Sequence, residues 1–227
     1  MDGKKYKPSS RVISVADIII LDKDGTVLDS MDATLEGFVE TMQPYASKEY
    51  VIEIVKKLTG APPDEQYAAM LKRPRNDPLV LERVEALWKI LKKTKPKPFP
   101  DALEVIPKLA ADGHTLVLST GYRSDIAEAQ LKMVELRRYF DLILGHDPPI
   151  IKGMHHMEAV MKKYGLSKEG VKRVVIVGDG PGDMIMGQGY TTRLYGIDRM
   201  GNSRELVKAG AVEVFPDLRE FYRYFSK

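Results

Sequence analysis

Ile18-Ile19-Ile20-Leu21 is a continuous apolar run that stops at an aspartate, Asp22. A run this short, with no polar alternation, predicts a strand covered on both faces. Three similar runs follow far downstream, at Thr115 to Leu118, Leu142 to Leu144 and Val174 to Val177, with a weaker pair at Arg193 to Gly196 and Glu213 to Phe215. Helical patterns separate them: Ala102 to Ala111 before Gly113, Asp125 to Val134, Met154 to Tyr164 before Gly165, Asp183 to Gln188, and Ser203 to Ala209 before Gly210. A glycine just past the last turn is a common helix C-cap. Strand, helix and strand in repetition require right-handed crossovers, so the expected fold class is α/β, a mostly parallel sheet flanked by helices.

The stretch from Asp29 to Lys97 breaks this alternation. It carries helical patterns at Ala33 to Met42, Lys48 to Leu58, Asp64 to Leu71 and Pro78 to Lys93, punctuated by Pro62, Pro63, Pro74 and Pro78. Lys95-Pro96-Lys97-Pro98-Phe99-Pro100 reads as a stiff linker. An inserted all-helical domain over 29–97 is therefore expected, with 1–28 and 98–227 forming the α/β core. Trp88 is expected to pack inside the helical part rather than stack on a ligand.

The chain of 227 residues has no cysteine, which excludes disulfides, thiolate metal sites and a cysteine nucleophile. Its net charge of +3 is too small to imply a nucleic-acid partner. The basic clusters Lys72, Arg73, Arg75 and Lys92, Lys93, Lys95, Lys97 read as solvated helix ends and linker. Residues Met1 to Arg11 are basic and polar, and the apolar run beyond them is interrupted by Ser14 and Asp17. This predicts neither a signal peptide nor a membrane span, and a cytoplasmic address is expected.

Ligands of an open parallel sheet bind beyond the carboxyl ends of its strands. The first strand ends in Asp22-Lys23-Asp24-Gly25-Thr26, where Asp22 and Asp24, two apart in extended chain, point the same way. The Val174 strand ends in Gly178-Asp179-Gly180-Pro181-Gly182-Asp183, where a helical turn brings Asp179 and Asp183 together. Thr115 to Leu118 delivers Ser119, Thr120 and Gly121, and Lys152 follows Ile150-Ile151. Four carboxylates in one crevice repel by ~4 kcal/mol per close pair, so a cation is required. An all-oxygen set with room for water and phosphate suits Mg²⁺ better than zinc. A hydroxyl and an ammonium beside it can hold further phosphate oxygens. The cluster reads as a phosphoryl-transfer site. The competing readings are weaker. Any one strand-end aspartate can be a cap or a turn residue. Gly178, Gly180 and Gly182, with Asp198 as a ribose acid, fail as a dinucleotide loop because residue 183 is aspartate and the carboxylates would repel a pyrophosphate. His155 and His156, adjacent on a helix, diverge and read as surface residues. His146 and Asp147, in the loop before Lys152, fall near the expected site.

These residues resemble the haloacid dehalogenase superfamily, particularly its phosphoglycolate-phosphatase-like branch. Asp22-Lys23-Asp24-Gly25-Thr26 with Val27-Leu28-Asp29-Ser30 is similar to that family's first motif, and Leu116-Val117-Leu118-Ser119-Thr120-Gly121 to its second. Lys152 is similar to the third, and Gly178-Asp179 through Asp183 to the fourth; the segment from Asn202 to Glu220 resembles the family's C-terminal helix, strand and helix. The resemblance implies a Rossmann-like core with a helical cap, and an Mg²⁺-dependent phosphatase acting on a small phosphorylated metabolite. By the same resemblance Asp22 is the nucleophile, and Asp24 is the acid and then the base. Asp22, Asp179, the Asp24 carbonyl and, close by or through water, Asp183 bind the metal. Thr120, Gly121 and Lys152 hold the phosphoryl group, Thr120 rather than Ser119 supplying the hydroxyl. Two residues depart from the family pattern: Lys23 stands where an apolar residue is common, and Gly153 where proline is frequent.

Three other activities use similar residues. A sugar-phosphate mutase would return the phosphoryl group to its substrate. A phosphonate hydrolase would need a Schiff-base lysine in the helical part, with Lys56, Lys57 and Lys72 as options. A receiver-like signalling module would accept phosphate without turnover; the helical insert and the second acid, Asp24, speak against it.

Overall fold

The computed structural model describes residues 16–58 and 61–227, so the expectations resting on Met1 to Arg11 and Ser14 lie outside the described residues. In chain order the elements are β1 (Ile18–Asp22), β2 (Leu28–Asp29), α1 (Met31–Met42), α2 (Lys48–Lys57), α3 (Pro63–Leu71), α4 (Pro78–Lys93), β3 (Lys97–Pro98), α5 (Pro100–Ala111), β4 (Thr115–Ser119), α6 (Ser124–Met133), β5 (Leu142–Leu144), α7 (Met154–Tyr164), β6 (Val174–Gly178), α8 (Pro181–Gly187), β7 (Leu194–Ile197), α9 (Ser203–Lys208), β8 (Glu213–Phe215) and α10 (Leu218–Phe225).

Six strands form one parallel sheet in the order β5-β4-β1-β6-β7-β8. The apolar run of β1 explains its central position, because successive side chains leave on opposite faces and both faces are covered. Ile19 and Leu21 pack on one side with Val105, Ile106 and Leu109 of α5, Leu131 of α6 and Phe221 of α10. Ile18 and Ile20 pack on the other with Met157 and Val160 of α7, Met184 of α8 and Leu206 of α9. Each such side chain taken wholly out of water contributes roughly 1.5–3 kcal/mol, which fixes the register of β1 between its neighbours. Asp22 is consequently paired with Ser119 across β4, and Leu21 with Val177 across β6, so three strand ends open at one edge.

Helices α1 to α4 lie between β2 and β3 and gather around Phe38, Met42, Val51, Tyr67, Val80, Leu87 and Leu91. Trp88 is buried in this cluster, as expected, with its ring 5.3 Å from that of Tyr122. The stiff linker reading of Lys95 to Pro100 needs a correction. Lys97–Pro98 pairs antiparallel with Leu28–Asp29, so the outgoing and returning chains run side by side. A two-residue strand containing proline has no alternation to read. The run expected at Arg193 to Gly196 is likewise shifted by one residue, with Arg193 outside β7 and its guanidinium paired with Asp17. Among the described residues no helix is long and apolar enough to cross a membrane.

Candidate active site

Asp22 closes β1 and is almost wholly buried. Asp179 follows the last residue of the neighbouring β6, and Asp183 sits in the first turn of α8. One carboxylate oxygen from each of Asp22, Asp179 and Asp183 lies within 4.8 Å of the others. The loops reach this closely because glycine lines them. Gly25 adopts φ +81°, a left-handed conformation that side chains resist, and a Cβ there would collide with the Asp179 carboxylate. A Cβ at Gly178 would likewise run into the Asp183 carboxylate.

Lys152 approaches the trio from the loop before α7, its Nζ 2.5 Å from Asp22 Oδ1 and 2.8 Å from Asp183 Oδ1. One ammonium does not balance three carboxylates. Burial, followed by repulsion from Asp183, raises the Asp22 carboxyl well above its ordinary range despite Lys152. Burial, then Asp183, likewise pushes Asp179 up to about 7. Burial alone would discharge Lys152, but Asp183 and Asp22 outweigh it and hold the ammonium charged. Asp183 Oδ1 is buried in ion-pair contact with Lys152 without a directed hydrogen bond. An all-oxygen set, crowded to mutual repulsion and with a buried oxygen left undirected, fits a hard divalent cation such as Mg²⁺.

Asp24 stands apart from the trio. Its Oδ1 accepts from Lys23 Nζ at 2.6 Å and from Ser30 Oγ, while its Oδ2 accepts from Thr120 Oγ1 at 3.2 Å. The Asp24 carboxylate is thus outside the group of oxygens that could share one ion. Thr120 also accepts from the Tyr122 amide at 3.0 Å, which fixes its hydroxyl toward the strand ends. Ser119 turns the other way, its Oγ 2.9 Å from His156 Nδ1. Gly121, next to Thr120, leaves open space where a side chain would stand.

His156 corrects the expectation of two surface histidines. It is fully buried, with Nε2 2.9 Å from the Gly145 carbonyl, on the same inner face of α7 as Met157 and Val160. Burial pushes its pKa down to about 4. His146 and Asp147 tie their loop to the start of α6: the His146 amide donates to the Tyr122 carbonyl, and Asp147 accepts from the Ser124 amide.

Other supporting residues are not legible in the chain. Arg199 donates to the carbonyls of Gly25 and Thr26 at 2.9 and 3.1 Å, and to Asp101 at 2.7 Å, with its guanidinium 3.7 Å from the Phe99 ring centroid. Asn202 Nδ2 donates to the Asp179 carbonyl at 2.8 Å. The loop bearing both is wound around Asp198, whose carboxylate accepts from the amides of Met200, Asn202 and Ser203. One loop thereby braces both strand ends that carry the trio. Arginine and asparagine in a loop give no sequence signal for such a role.

A family model described as haloacid dehalogenase-like hydrolase matches residues 19–197. A phosphoglycolate phosphatase of Aquifex aeolicus is 25% identical over 179 residues, covering 78% of this chain and 82% of that protein. A pyrophosphatase of Anoxybacillus flavithermus is 22% identical over 179 residues, covering 79% and 82% respectively. Among solved structures, a haloacid dehalogenase-like family hydrolase from Streptococcus pneumoniae superposes with a TM-score of 0.75 at 18% identity, over 92% of this chain and 98% of that one. At that identity the superposition speaks for the fold.

Proposed function

Since the chain belongs to the haloacid dehalogenase-like hydrolase family, we propose that it is a magnesium-dependent phosphatase that hydrolyses a small phosphorylated metabolite through an aspartyl-phosphate at Asp22. One observation carries this reading: carboxylates from two strand ends, Asp22, Asp179 and Asp183, crowd within 4.8 Å beside a single lysine. Such a group is costly to bury unless it holds a cation.

Asp22, Asp179, Asp183 and the Asp24 carbonyl would hold Mg²⁺, which supplies positive charge against the non-bridging phosphoryl oxygens. A carboxylate oxygen of Asp22 attacks phosphorus in line, and the bond from phosphorus to the leaving oxygen breaks. Asp24 gives its proton to that leaving oxygen, then takes one from the water that cleaves the aspartyl-phosphate. Thr120 and the Gly121 backbone border the phosphoryl oxygens, and Lys152 neutralises them. Helices α1 to α4, residues 29–97, form a cap that keeps bulk water from the intermediate. Support comes from Ser30, which opens this segment and already bonds Asp24.

The direct test is release of p-nitrophenol from p-nitrophenyl phosphate. The expected result is turnover that requires Mg²⁺, stops with EDTA and is lost in Asp22→Asn. Turnover indifferent to EDTA, or surviving in Asp22→Asn, would refute the reading. Phosphate release from a panel of phosphorylated metabolites then identifies the substrate.

A further inference from the structure

Lys23 lies between the two aspartates of the first strand end, yet it is 0% exposed. A buried ammonium is tolerated when each of its three N–H directions finds a partner. Lys23 meets that condition, with Asp24 Oδ1 at 2.6 Å, Gln130 Oε1 at 2.9 Å and the centroid of the Tyr122 ring at 4.0 Å. Each partner is itself fixed. Gln130 is buried and its Nε2 donates to the Leu91 carbonyl at 3.0 Å. A carbonyl only accepts, so the amide nitrogen must face Leu91 and the amide oxygen must face Lys23. Tyr122 is held by its hydroxyl contact with Thr34 and by the Trp88 ring 5.3 Å away. The ammonium is thus gripped from α1 and α4 as well as from α6.

We propose that Lys23 is a positioning residue for Asp24: it pins Oδ1 so that Oδ2 alone faces Thr120 and exchanges the proton. The proposal rests on the acid and base role given to Asp24 above. Lys23 and Ser30 both direct hydrogens at Oδ1, which fills its lone pairs and leaves Oδ2 to carry a proton. As the Asp22–phosphorus bond forms and the bond to the leaving oxygen breaks, the proton on Oδ2 passes to that oxygen. The same Oδ2 then takes a proton from the attacking water, so Asp24 ends the cycle as it began. A carboxylate free to rotate would present its proton along the wrong line for part of the time, and misplacement of this kind lowers rate without loss of fold.

The test is kcat/KM for two aryl phosphates in wild type, Lys23→Met, Gln130→Met and Asp24→Asn. Phenyl phosphate releases a much more basic oxygen than p-nitrophenyl phosphate, so it depends more on a well-aimed proton. Met fills the Lys23 volume and lies against the Tyr122 ring without the charge. In Lys23→Met, kcat/KM for phenyl phosphate should fall about tenfold further than for p-nitrophenyl phosphate. Gln130→Met, which loosens the ammonium but keeps it, should shift the same ratio in the same direction by less, and serves where Lys23→Met does not fold. Equal losses on both substrates, or none, would overturn the positioning role. Unchanged turnover in Asp24→Asn would instead remove the acid–base reading beneath it, and the two failures are separable.

Discussion

The carboxylates of Asp22 and Asp183 share one ammonium, that of Lys152, which stands 2.5 Å from the first and 2.8 Å from the second. This pairing is the only internal compensation for the trio among the described residues' ion pairs, and it is partial. The consequences divide between the protein in EDTA and the protein given Mg²⁺.

Removing Lys152 takes the counter-charge from two buried carboxylates. In EDTA at neutral pH, Lys152→Met should lose on the order of 3 kcal/mol of stability. Urea denaturation monitored by tryptophan fluorescence measures this, and added Mg²⁺ should restore part of the loss. Equal stability of both proteins in EDTA would mean the pairing is not felt.

Cation binding to the folded state alone stabilises it. At a hundredfold excess over Kd the gain is about 2.7 kcal/mol. For a chain of this size that is roughly 5–10 °C in melting temperature. Differential scanning fluorimetry should register this shift in wild type and lose most of it in Asp179→Asn. The readout is independent of turnover.

Gly25→Ala should be severe for its size. The left-handed backbone costs about 1 kcal/mol for a residue with a side chain, and the methyl group would push the Asp179 carboxylate out of the trio. The expected outcome is loss of the Mg²⁺-dependent melting shift together with at least a hundredfold fall in kcat for p-nitrophenyl phosphate. A folded variant that keeps both would show that Asp179 tolerates displacement.

His156 makes acid tolerance measurable. Its folded pKa, about 4, lies below the ordinary 6.5, so the unfolded chain binds the proton more readily. The contribution to stability is therefore complete above about pH 6.5 and is lost as pH falls toward 4. Between pH 7 and 4.5 wild type should lose roughly 2 kcal/mol more than His156→Gln. The difference between the two urea midpoints at each pH checks this, and parallel curves would exclude a buried neutral histidine.

The sequence carried the fold through its strands. Apolar runs such as Ile18 to Leu21 can satisfy their side chains only when covered on both faces, and the structure covers them so. The trio was legible for a related reason, since charged residues at the ends of buried strands have few places to go. What stayed hidden depends on contacts distant in the chain. The inward position of His156 is hidden because neighbours on a helix point about 100° apart, and the pair His155-His156 alone does not say which faces the core. Lys23 was visible only as a departure from a pattern; its meaning required Gln130, Tyr122 and Leu91, which no local spacing relates. Asn202 binds a backbone carbonyl, which every residue has, and Arg199 binds two of them besides Asp101, which lies far off in the chain, so no local spacing announces either.

The short ladder of Leu28–Asp29 against Lys97–Pro98 carries one more implication. Everything between those strands leaves and re-enters through adjacent backbone positions, with α1 to α4 interposed. A transplant of a different helical module across this doorway leaves Asp22, Asp179 and Asp183 in place, but it removes Ser30, Thr34 and Leu91, which hold Asp24, Tyr122 and Gln130. Exchanging the helical segment therefore also changes what holds the Asp24 carboxylate.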